Sequence, residues 1–135
     1  MNPNLNAVSI ETELYNYLAT LNLVDAKNLW IGARKAVTPT TQTPKMMVVR
    51  ISGNVLDNFA LGEAIVSLDI YVKDTQTGVR NSSELRAIVG VLLQSLPITT
   101  LNYKFVYLNS TSPIPDGNGY YYQILNLKTF IKNNI

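Results

Sequence analysis

Apolar residues recur along this chain with two different periods, and the switches between them mark out its elements. From Ser9 to Leu21, Ile10, Leu14, Tyr17, Leu18 and Leu21 fall on one stripe of an amphipathic helix. Ser9 is the expected N-cap, Glu11 and Glu13 stand against the positive end of the helix dipole, and Asn22 permits the turn out. Asn28–Val37, with Trp30 and Ile31, reads as a strand. The following Thr38-Pro39-Thr40-Thr41-Gln42-Thr43-Pro44 reads as a projecting loop, because proline has no N–H to give to a ladder. Met46–Ile51 is dense in β-formers and is followed by Ser52-Gly53-Asn54, which is turn chemistry. From Ala64 to Val72 the period becomes two: Ala64, Val66, Leu68, Ile70 and Val72 take one side, and Ile65, Ser67, Asp69 and Tyr71 the other.

The helical period then returns. Asn81-Ser82-Ser83-Glu84 has the spacing of a capping box with Asn81 as the cap, and Leu85, Ile88, Val89, Leu92, Leu93 and Leu96 follow at helical intervals until Pro97 stops the run. Gly90 inside it costs about 1 kcal/mol against alanine, which suggests a close approach of helix to sheet. Tyr103–Leu108 and Tyr120–Ile131 read as a hairpin around the loop Asn109–Gly119, whose Asp116-Gly117-Asn118-Gly119 is a turn sequence without the acidic positions of a calcium loop. The order α-β-β(-β)-α-β-β predicts an α+β fold in which a single mostly antiparallel sheet carries both helices on one face. The opposite face would carry Ile65, Tyr71 and one side of Tyr120–Tyr122, more apolar surface than a solitary monomer shows, and so implies a partner.

Composition narrows the chemistry. The 135 residues suit one domain, 1–135, without internal repeat or low-complexity tract. Charged residues are only 15% against 47% hydrophobic, and a surface so poor in charge offers little repulsion against self-association. The 11 basic and 9 acidic residues are scattered, so nucleic acid is not an implied partner. With no histidine and no cysteine, the chain lacks Ser-His-Asp and Cys-His nucleophile arrangements, His- or thiolate-ligated metal sites and disulfides. The carboxylates sit in helix starts, caps, turns and strand faces: Glu11, Glu13, Glu84, Asp57, Glu63, Asp69 and Asp74. No catalytic, cofactor or metal site is expected, and no small-molecule substrate. Neither a secretion signal nor a membrane-spanning run is legible. The aromatic group Tyr103, Phe105, Tyr107, Tyr120, Tyr121 and Tyr122 could stack on single-stranded bases, but only Lys104 and Lys128 accompany it, and cross-strand packing explains it more simply.

The amphipathic helix, the strands around Met46–Ile51 and Ala64–Val72, the capped helix Ser82–Leu96 and the terminal hairpin Tyr103–Ile131 follow one another in an order that resembles the bacteriophage tail-terminator and tail-completion (neck) proteins. That family has no residue signature, so the resemblance lies in element order and assigns no residue a role. It implies a virion structural protein, not an enzyme, assembled in the host cytoplasm into a homo-oligomeric ring of six or twelve copies. The ring would bind adjoining tail-tube or connector proteins without cofactor or membrane, meeting nucleic acid only as DNA passing through it. Another phage connector or short-tail ring protein would share the topology, and a small nucleic-acid-binding module using the tyrosine-rich hairpin is the reading from another class. In a ring the two proline-bearing loops would be the joints, since proline limits the entropy lost on docking. The interface candidates are Thr38, Pro39, Thr41 and Pro44 in the first loop, Pro113, Ile114 and Pro115 in the second, and Tyr120 and Tyr122 beside it. Deleting Thr40–Thr43 is expected to lower the assembled fraction in light scattering while the circular dichroism shows the fold intact. A deletion variant that assembles like the parent makes the segment a spacer.

Overall fold

In the computed structural model, which describes residues 7–32, 43–52, 63–76 and 78–132, the chain runs through two helices and seven strands. They are α1 (Ala7–Leu21), a 3₁₀ turn (Ala26–Asn28), β1 (Leu29–Ile31), β2 (Lys45–Ser52), β3 (Glu63–Lys73), α2 (Ser82–Ser95), β4 (Ile98–Thr99), β5 (Tyr103–Ser110), β6 (Ile114–Pro115) and β7 (Tyr120–Ile131). All the strands belong to one sheet, ordered β1-β2-β3-β7-β5-β4, with β6 extending the β5 side of β7. β1 is parallel to β2, and the other pairings are antiparallel. The expected α+β class is thus the observed one.

Strand alternation decides which residues make the core. Val66 stands opposite Leu127 and Leu68 opposite Leu125, and all four are buried. Met47 and Val49 extend that row on one side, and Phe105 and Tyr103 on the other. Both helices cover this face, α1 through Ile10, Leu14 and Leu18, α2 through Leu85, Ile88 and Leu92. Burying each such side chain contributes about 1.5–3 kcal/mol, whereas an N-cap contributes about 1 kcal/mol. Docking therefore outweighs capping in holding the helices on the sheet.

α1 holds Ala7–Leu21, so Ser9, the expected cap, lies inside the helix. Glu11 and Glu13 do not serve the helix dipole; they reach out to backbone elsewhere. Glu11 Oε2 accepts from the Ile51 N–H at 3.0 Å. Glu13 accepts from the Thr100 hydroxyl at 2.6 Å, the Asn102 N–H at 3.0 Å and the Asn102 side-chain amide at 2.7 Å, tying α1 to the β4–β5 turn. The α2 start follows expectation, with the Asn81 side chain accepting from the Glu84 N–H. Glu84 does not close the capping box: its carboxylate pairs with Lys45 at 2.8 Å.

Three further differences concern backbone. Of the strand expected over Asn28–Val37, the described residues show β1, which ends before Gly32 at φ +87°; residues 33–37 lie outside the described ones, as do Gly53 and Asn54 of the expected turn. The expected Asn109–Gly119 loop is partly strand, since β5 runs to Ser110 and β6 pairs with β7. Gly90 is not a point of close approach, because a Cβ there would meet nothing within 4 Å.

Gly90→Ala is therefore expected to stabilise the protein by about 1 kcal/mol in urea unfolding, and a loss would show that the helix needs the glycine. For Glu13, burial pushes the carboxyl up, but the hydrogen bonds from Thr100 and Asn102 outweigh it and hold its pKa below the ordinary glutamate value. A depressed carboxylate contributes stability that is complete above its unfolded pKa and is lost as pH falls through the folded one. The gap in melting temperature between wild type and Glu13→Gln should be largest near neutral pH and close in acid; a pH-independent gap contradicts this role.

Candidate functional site: the hairpin tip and the ends of the sheet

The face of the sheet away from the helices satisfies most of its own polar groups. Arg50 Nε donates to Asp69 Oδ2 at 2.7 Å, and that hydrogen bond, opposed by burial, raises the arginine pKa further. Ser67 donates to the side chain of its cross-strand partner Asn126, which donates in turn to Asn109. Tyr71 and Tyr122, also register partners, stack with ring centroids 5.1 Å apart. Met46 and Val48 are fully buried on this side, and Ile65, Tyr71 and Tyr122 are half-buried. The broad exposed apolar face expected from the alternation is therefore not what the fold presents.

The interface candidates that can be placed gather at one corner, where β3 ends and β7 begins. The Tyr120 hydroxyl donates to the Thr43 carbonyl at 2.6 Å, the Lys73 N–H to the Pro44 carbonyl at 2.8 Å, and the Asp74 N–H to the Gly119 carbonyl at 2.9 Å. Asp116 caps the turn, its Oδ1 accepting from the Asn118 and Tyr120 N–H groups, while Gly117 and Gly119 take positive φ. Beside it lies a half-open cavity of about 460 Å³, lined among others by Asp74, Gln76, Pro115 and Tyr121. Pro44 and Pro115 are exposed there, Ile114 pairs with Tyr122, and Pro113 faces the start of α2 near Arg86. Tyr120 is a correction: it is 3% exposed and pins the corner internally, so it offers no contact surface. Thr38, Pro39 and Thr41 lie outside the described residues.

Sequence reasoning missed a second set of surfaces, the lateral ends of the sheet. Among the described residues, Ile31 is exposed on β1 at one end, and Leu93, Leu101, Tyr107 and Leu108 on α2, the β4–β5 turn and β5 at the other; Val8 in the first turn of α1, Val79 and Val91 are the remaining exposed large hydrophobics. The grouping at the second end distinguishes it from scattered surface residues. A signal existed in the sequence: Tyr103, Phe105 and Tyr107 alternate and Leu108 breaks the phase, where a β-bulge falls between Tyr107 and Asn109.

The aromatic group does not form one platform. Tyr103 and Phe105 are buried on the helix-covered face and Tyr120 at the corner, while Arg80 sits over the Tyr121 ring at 5.7 Å. Among the described residues no three Asp or Glu side chains are grouped to hold a metal ion, and no helix is long and apolar enough to cross a membrane. No protein-family model matches the chain, and no curated protein does. Two chains of solved structures match; one is similar over 95% of this chain and 94% of its own, with a TM-score of 0.51 and 10% identity, a likeness of fold alone.

Proposed function

We propose that this chain is a structural protein of a tailed-phage virion, a tail-terminator or head–tail joining subunit that assembles into a homo-oligomeric ring. One observation carries the reading: Ile31 at one end of the sheet and Leu93, Leu101, Tyr107 and Leu108 at the other are exposed large apolar side chains, and those ends differ from each other. A molecule with two unlike adhesive ends associates head to tail, and such contacts close into rings when the rotation permits. The absence of histidine and cysteine and the internal use of Glu11, Glu13, Asp69 and Glu84 support a role in assembly over one in catalysis. In this reading the lateral ends join copies within a ring, and the proline-bearing corner at the strand ends meets the adjoining tail-tube or connector protein.

Sedimentation at rising protein concentration is expected to show growth into one closed species of fixed mass. A dimer as the end state, or a monomer at every concentration, overturns the ring. Tight, salt-dependent oligonucleotide binding by the monomer would favour the nucleic-acid module instead.

A further inference from the structure

The two ends of the sheet match each other as strands. Each carries an edge with no neighbouring strand among the described residues: β1 at one end, and β5 beyond the short cover of β4, which pairs only with Lys104 and Phe105. Neither Leu29–Ile31 nor Val106–Leu108 contains a charge; the nearest lysine on β5 is Lys104, which lines the groove beside Tyr107.

Three independent parities agree on one joint. The first is direction. β1 and β2 run one way, β3 the other, β7 back and β5 opposite again, so β1 is antiparallel to β5. Copies repeated in the same orientation around an axis therefore bring β1 against β5 as an antiparallel pair. The second is face. Ile31 is in register with Val49 and Tyr107 with Leu127, and both partners belong to the helix-covered core, so Ile31 and Tyr107 lie on the same face. The third is hydrogen-bond phase. The Gly32 N–H points inward to the Val49 carbonyl, which turns the Ile31 backbone outward; the Tyr103 carbonyl accepts from Thr100 on the outer side, which turns the Tyr107 backbone outward too. Facing each other, Ile31 and Tyr107 exchange two backbone hydrogen bonds.

We propose that β1 of one copy adds as an antiparallel strand to the bare edge of β5 in the next, Ile31 opposite Tyr107, so that a single sheet runs on from copy to copy with all helices on one side. The Ile31 side chain (43% exposed) then enters the groove of about 410 Å³ that Leu93, Leu96, Pro97 and Tyr107 line between the end of α2 and β5. Trp30 falls on the other face, beside Leu108. β1 ends before Gly32, at φ +87°, short of the two β5 residues that β4 covers. β4 and the bulge leave room for a strand about as short as β1, so the joint is specific in register. It rests on the ring reading and specifies its lateral contact.

Because the chain has no cysteine of its own, the test is direct. Ile31→Cys and Tyr107→Cys are made separately and together; opposed residues of such a pair have Cα atoms about 5.5 Å apart, within disulfide range. After mild oxidation the double variant is expected to give a ladder of covalent multimers on a non-reducing gel. Each single variant alone should give none, and a mixture of the two should stop at dimers. Tyr107→Lys, which leaves the core untouched, should shift assembly toward monomer at least tenfold in concentration. Rings that form without the Ile31–Tyr107 cross-link overturn this joint and spare the ring. Self-cross-linking of Tyr107→Cys alone overturns head-to-tail pairing, and a double variant that stays monomeric, unlinked and unassembled at every concentration overturns both.

Discussion

Eleven consecutive residues of β3 pair with eleven of β7, from Glu63 opposite Phe130 to Lys73 opposite Tyr120, without a break in register. Side chains alternate across such a ladder, so a slip of one residue would carry Val66, Leu68 and Ile70 out of the core and bring Ser67 and Asp69 into it. This penalty holds the phase of the whole sheet. β2 takes its phase from β3, and β5 takes its own from β7 up to the bulge after Tyr107. The helices follow, since Ile10, Leu14 and Leu18 and Leu85, Ile88 and Leu92 have only that face against which to bury themselves.

Several polar side chains serve this framework. Glu13 holds the β4–β5 turn, Glu11 satisfies the end of β2, Asn81 starts α2 and Asp116 closes the hairpin tip. Each answers a backbone N–H that would otherwise lack a partner, a requirement every fold must meet. Glu13 and Asp116 each accept from more than one donor. Inside the sheet, Asp69 Oδ1 and the Thr129 hydroxyl are buried without a partner, and at its margins strands end without neighbours among the described residues and apolar side chains stay in solvent. That distribution is why the proposed function is one of assembly.

Local periodicity made much of this legible. The helical stripes, the alternation of Ala64–Val72, the Asn81 cap and the Asp116–Gly119 turn are all interactions between residues close in sequence, or consequences of a repeating backbone geometry, and they appear in the structure as read, except that Leu93, read into the second stripe, is exposed. The exceptions have a common cause. Ser9 looked like a cap, Glu11 and Glu13 like dipole partners and Gly90 like a contact point because each was judged by its near neighbours, whereas their surroundings come from residues such as Ile51 and Asn102, distant along the chain. Tyr120 looked like surface for the same reason, and the Thr43 carbonyl that holds it lies 77 positions away.

By itself, then, the sequence determined the α+β class, the order of the helices and longer strands, the core rows and the absence of histidine and cysteine chemistry, because period and composition are properties of the chain alone. Only tertiary structure decided that β1 runs parallel to β2, that β4 covers two residues of β5 and no more, and that Ile31 and Tyr107 stand at opposite ends of one sheet. Strand order depends on which distant segments meet, and an edge exists only where a neighbour is missing, a fact no residue carries in its own identity.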